Sequence, residues 1–177
     1  MKKTFVLFAL FIISAINCDA QLIHTRDFVK IALPDGVYKL SKQQVEAIPQ
    51  FKVTNRPLKY TGPPDVYKTE NISIGLFIVN TDAMNNDFPR KKNFLDELYS
   101  LLKRHGNNSY TSSIKNMGKN QVLIINYKIN DKGYYRFYYQ NESKTLTQAG
   151  EMEYNIADRS KAEALLNDVL NNIRFTK

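Results

Sequence analysis

The sequence predicts an α+β domain built on an antiparallel β-sheet with layers above and below it. Three observations carry this. The stretch Ile72 to Val79 is apolar on both alternating sides, so a strand there needs cover on both faces. From Val122 to Tyr154 the chain is a succession of β-prone segments parted by turn signals. Ala162, Leu165, Leu166, Val169, Leu170 and Ile173 recur at i, i+3, i+4, i+7, i+8 and i+11, the spacing of one helix face. Runs of strands with helices at either end mean α+β rather than alternating α/β.

The chain has 177 residues, one domain's worth. Lys2 and Lys3, the apolar run Phe5 to Ala15 and the short side chains around Ala20 have the layout of a secretory signal peptide over residues 1–20. Cleavage after Ala20 leaves Gln21 as the mature N-terminus and 21–177 as a single domain, secreted or periplasmic. The competing route is lipidation of Cys18. The box before it, Ala15-Ile16-Asn17, carries Asn where Gly or Ala is expected. The single cysteine leaves with the leader, which excludes a disulfide scaffold, a thiolate zinc site and a cysteine nucleophile. No long apolar run follows, so no transmembrane segment is expected after cleavage. Hydrophobic residues at 43% exclude a wholly disordered chain.

Phe28 to Leu33 is β-prone and stops at the turn signal Pro34-Asp35-Gly36. Ser41 and Gln44 form a capping box, opening a short helix that ends before Pro49. Phe51 to Asn71 contains Pro57, Gly62, Pro63 and Pro64 and is expected as an ordered connector pinned by Phe51, Tyr60 and Tyr67. In the Ile72 strand, Ile72, Ile74, Leu76 and Ile78 face one way, Phe77 and Val79 the other.

Asp87 caps the next helix and Pro89 suits its first turn. Phe94, Leu95, Leu98, Leu101 and Leu102 recur at helical spacing, with Gly106 placed to end it. Val122 to Ile129, Tyr134 to Tyr139 and Thr145 to Tyr154 make a meander turned at Asn130-Asp131-Lys132-Gly133 and Asn141 to Lys144. Asp158 caps the last helix, and Phe175 closes the chain.

This order resembles the PsbP-like superfamily. The carrying segments are Ile31 to Val37, the strand from Asn71 to Val79, the helix from Pro89, the meander, and the last helix ending Asn172-Ile173-Arg174-Phe175. The resemblance implies an antiparallel sheet sandwiched by helices, an α/β/α arrangement. It also implies accessory or binding proteins rather than enzymes, and it carries no catalytic residues. The leader followed by Ala20-Gln21 resembles those of secreted Bacteroidetes-type proteins.

Candidate chemistry is sparse. His24 near the mature N-terminus and His105 at a helix end read as structural. There is no nucleophile elbow, Walker loop or His-x-x-x-His pair. Glu151 and Glu153 share a strand face, but a glycosidase needs two carboxyls across a cleft. Asp82 and Asp87 flank a polar loop with too few oxygen ligands for calcium. No catalytic residue, cofactor or metal is assigned.

Two surfaces stand out. Alternation puts Tyr134, Arg136 and Tyr138 on the strand face opposite Tyr135, Phe137 and Tyr139, a possible stacking platform for sugars or bases. Arg90-Lys91-Lys92 puts cations in a helix first turn, against the helix dipole, which hints at an anionic partner. The whole chain is +8, and losing Lys2, Lys3 and Asp19 leaves +7. The first expectation is an extracytoplasmic, non-enzymatic accessory protein of the bacterial envelope, with an unknown envelope protein or an anionic surface as partner. The alternative is a polyanion or glycan binder using the basic and aromatic residues, and a hydrolase comes third. Nucleic acid is not expected. Changing Lys91 and Lys92 together to Gln is expected to leave folding nearly untouched.

Overall fold

The structure, a computed structural model, describes residues 21–48, 65–79, 86–103 and 109–176. The expected signal peptide, the greater part of the connector with Phe51 and Tyr60, and Asp82, His105 and Gly106 lie outside the described residues. Strands β1 (Ile23–Arg26), β2 (Val29–Ala32) and β3 (Tyr38–Lys39) precede helix α1 (Lys42–Glu46). Then come β4 (Asp65–Thr69), β5 (Ile72–Ile78), α2 (Phe88–Lys103), β6 (Tyr110–Met117), β7 (Asn120–Ile129), β8 (Lys132–Gln140) and β9 (Thr147–Asn155). A 3-10 turn leads into α3 (Arg159–Asn171), and β10 (Ile173–Phe175) ends the chain.

Seven strands form one antiparallel sheet in the order β3-β4-β5-β9-β8-β7-β6, and β1-β2-β10 form a second, small one. The tight connections use backbone the sequence permits. Asp27, Glu70, Asn130 and Gly118 each open a two-residue hairpin turn with positive φ, between 45° and 64°.

Alternation sorts the large sheet into two cores. Ile74, Leu76, Phe137 and Met152 face α3 and the small sheet, where Val29, Ile31, Leu165, Leu166 and Val169 join them. Phe77, Val79, Leu123, Ile125 and Ala149 face α2 and α1, meeting Phe88, Leu95 and Val45. The expected cover on both faces of β5 is therefore present. Ser41 makes both bonds of the capping box on α1.

Several expectations change. Asp65 to Thr69, read as connector, is β4, and Tyr67 within it is buried. Gly133 lies inside β8 rather than at the turn, because the Tyr154 ring covers the space a side chain would take. Asp158 holds the N-cap position of α3 without a side-chain cap bond. Ile173 is buried as its spacing predicts, but from strand β10, where it pairs with Ile31. In α2, Phe94 and Leu98 are 51% and 42% exposed. Leu95 is buried as its spacing predicts, and the stripe facing the sheet is Phe88, Lys91, Leu95 and Tyr99.

Candidate functional site

The two surfaces singled out in the sequence meet on the α2 side of the sheet. Asp87 accepts from the backbone N–H of Arg90 at 2.9 Å, so an anion caps the turn that carries the cations. The three basic residues then diverge. Arg90 is exposed, while Lys91 turns under the helix, 8% exposed, with its ammonium 3.8 Å from the centre of the Tyr138 ring. Lys92 pairs with Asp96 one turn on, at 2.5 Å. The expected free basic run is thus corrected: Lys91 faces the core and only its neighbours reach solvent.

The aromatic strand is covered in the same way. Tyr135, Phe137 and Tyr139 point into the α3 core as alternation predicts. Tyr134, Arg136 and Tyr138 do share the opposite face, but it is not an open platform. Tyr138 is 5% exposed beneath Lys91. Tyr134 stacks on its cross-strand partner Tyr127, ring centres 4.9 Å apart. Tyr99 of α2 continues the ladder, 5.4 Å from Tyr127 and 4.3 Å from Tyr110. Four tyrosines from α2, β6, β7 and β8 therefore form one stack, with Tyr134 and Tyr110 half-exposed at its ends.

Carboxylates tie this stack together. Arg136 donates to Glu151 at 2.8 Å, and the Tyr127 hydroxyl donates to the other oxygen at 2.8 Å. Burial, reinforced by the Glu151 charge, pushes the Tyr127 phenol far above its usual value, so it stays a donor. Glu153 pairs with Lys132 at 3.3 Å. Asp96 accepts from Lys92, Tyr110 and Ser112 beside a cavity of about 400 Å3. Burial by itself would raise the Asp96 carboxyl. The three hydrogen bonds outweigh it and hold the group below the usual carboxylate range.

Glu151 and Glu153 are thus engaged with cations on one strand face. Among the described residues there is no group of three or more metal-ligating side chains, and Asp87 serves as a cap.

The sequence reading took His24 as structural but placed it in a loose terminus, and the structure buries it instead. It lies on the inward face of β1, 1% exposed, with Nδ1 2.8 Å from the Tyr67 hydroxyl and the rings edge to face. Asp65 lies 3.6 Å away and is itself held by Lys39 at 2.5 Å and Arg26 at 3.9 Å. Burial lowers the imidazole pKa, partly opposed by Asp65 and helped by Lys39 and Arg26. The ring is therefore neutral, and its contact with Asp65 is not an ion pair. Its Nε2 has no hydrogen-bond partner among the described residues. Alternation sets His24 on the face opposite Ile23 and Thr25, but the apolar Ile23 argues for the wrong face as the inward one.

No protein-family model and no curated protein matches the sequence. Among solved structures, the chain is similar to cyanobacterial PsbP from Synechocystis, with a TM-score of 0.55 at 7% identity, covering 90% of this chain and 95% of that one. It is also similar to the Ran-binding protein Mog1p of Saccharomyces cerevisiae, with a TM-score of 0.46 at 9% identity over 88% and 96% of the two chains. LpqN, involved in cell envelope biogenesis of Mycobacterium tuberculosis, gives 0.43 at 12% identity over 91% and 88%. The resemblance seen in the sequence is thus matched at the level of architecture: the chain has the PsbP-like fold.

Proposed function

We propose that this is a non-enzymatic accessory protein that acts by binding, exported to the bacterial envelope. The observation that carries the reading is the closure around Glu151. The carboxylate that the sequence offers to catalysis is occupied on one oxygen by Arg136 and on the other by Tyr127, each at 2.8 Å. A group so committed organises a surface rather than moving protons through turnover. Residues 1–20, with their leader-like layout, support export. Among the described residues no helix is long and apolar enough to cross a membrane.

A protein partner suits the α2 flank, where Phe94 and Leu98 stand exposed one turn apart beside the exposed Arg90. Crosslinking in intact envelopes tests the reading. A discrete adduct is expected with the parent, and its loss with Phe94→Ser plus Leu98→Ser at unchanged thermal stability. Hydrolytic turnover abolished by Glu151→Gln, in a variant that remains folded, would overturn the non-enzymatic reading.

Binding of an anionic surface through Arg90 and Lys92 is the second reading, favoured by the basic balance of the chain, +8 in full and +7 without residues 1–20. With Lys91 turned inward, it predicts a weak, salt-sensitive attachment.

A further inference from the structure

A cleft of about 880 Å3 opens at one end of the sheet, away from the α2 face. Its walls are the β6–β7 turn, the β8–β9 turn and the segment joining α3 to β10. Volumes of this order accommodate small organic ligands.

The lining is amide-rich and close to neutral. Asn116, Asn120 and Asn171 contribute carboxamides, each offering a donor and an acceptor. Glu142 and Arg174 are the charged residues of its lining, one of each sign, with Lys119 standing 3.7 Å from Glu142 at the edge. A neutral wall of this kind gives an ionic ligand little Coulomb attraction, whereas adjacent hydroxyl groups match paired amide donors and acceptors.

One side is apolar and fixed. Phe175 is half-buried, stacked on Phe28 at 6.3 Å and tilted against Tyr139 at 5.9 Å. A ring held in this way suits the C–H face of a sugar and loses little entropy on contact.

The polar groups are positioned beforehand. Asn120 donates to the Tyr139 hydroxyl at 3.3 Å, which orients its amide. The Asn141 side chain accepts from the N–H groups of Thr145 and Leu146 at 2.9 and 3.0 Å and so shapes the β8–β9 turn. Arg174 donates to the carbonyls of Asn171 and Ile173 at 2.6 and 2.9 Å, which fixes its guanidinium at the rim.

The geometry points to a binding site for a short neutral oligosaccharide in this cleft, with Asn120, Asn171 and Arg174 facing its hydroxyls and Phe175 its apolar side. The site goes beyond the accessory role and uses none of the α2 residues on which that role is tested. It also differs from the stacking face foreseen in the sequence, since Tyr138 is covered and Tyr134 belongs to another surface.

Titration of the full chain with cellotriose, chitotriose, maltotriose and mannotriose, followed by calorimetry and amide NMR, tests it. At least one trisaccharide is expected to bind, with shifts centred on Asn120, Asn171 and Phe175 and no dependence on salt. Asn120→Ala and Asn171→Ala should each weaken binding by about tenfold, the scale of one lost hydrogen bond, while melting unchanged. Asn171 is exposed, so its variant remains informative even if Asn120→Ala perturbs the Tyr139 contact. Tyr134→Ala should leave the affinity alone. The proposal is overturned if none of the four trisaccharides binds, or if the shifts fall at Tyr134. Saturation of the cleft by citrate or by an acetylated peptide in place of the sugars overturns it as well.

Discussion

The ammonium of Lys91 lies 3.8 Å from the centre of the Tyr138 ring, and the two side chains are only 8% and 5% exposed. A helix lysine is thus part of the packing between α2 and the sheet. The π face of the tyrosine offers the cation partial compensation for the water it has lost.

Lys91→Gln is therefore expected to destabilise the fold by about 0.5–2 kcal/mol. Lys92→Gln, which breaks an i,i+4 surface pair, should cost less than about 0.5 kcal/mol. Urea midpoints of the two single variants check the contrast. The sequence-based expectation that both changes together leave folding untouched is revised on the Lys91 side.

His24 makes stability depend on pH. Burial holds its folded pKa below the 6.5 of the free side chain. Below that value the unfolded chain takes up a proton that the folded chain refuses, so stability falls as pH falls through this window and is flat above it. Asp65, Lys39, Arg26 and Tyr67 are the titratable groups around the ring. Urea midpoints compared at about pH 8 and about pH 5 should differ more in the parent than in His24→Phe.

Gly150 pairs with Phe137 across β8 and β9, and a methyl group at Gly150 would overlap the fully buried Phe137 ring. Gly150→Ala should cost about 1–3 kcal/mol through overpacking, despite alanine's lower backbone entropy cost. Thermal unfolding measures it. A neutral result would mean that the ring moves freely, contrary to its burial.

Leu166, 3% exposed, and Ile74, 1% exposed, belong to the same core. Leu166→Ala should lose about 2–5 kcal/mol. Denaturant titration decides, and a loss under about 1 kcal/mol would place α3 at the periphery.

The legible parts of the sequence were those where one periodicity dominated. Strand β5 and the centre of the meander are apolar on both alternating sides, α3 is apolar at every third and fourth residue, and these patterns survive folding. Strand β4 was hidden because it follows a proline-rich stretch and has only five residues. Strands β1 and β10 are four and three residues long, and it is the sheet they make with β2 that gives them their regularity. In α2 the start was readable from Asp87 and Pro89, but its rotation was not. Apolar counting favours Phe94 and Leu98 as the core face, whereas the tyrosine stack and the Tyr138 ring favour Tyr99 and Lys91. The basic run and the aromatic strand were singled out as exposed surfaces, and Lys91 and Tyr138 prove to be buried. What their types did not reveal was that Lys91 packs on Tyr138, while Lys92 and Arg136 pair with Asp96 and Glu151.

Strand β5 sits between β4 and β9 in the sheet, and its backbone partners Gln148–Glu153 belong to the last strand before α3. Synthesis proceeds from the N-terminus, so β5 leaves the ribosome well before the strand that flanks it. Throughout that interval Leu76 and Phe77 belong to the small set β3-β4-β5, and the β5 edge that will take β9 is bare. The seven-stranded sheet therefore closes only once β9 has been made, near the end of translation.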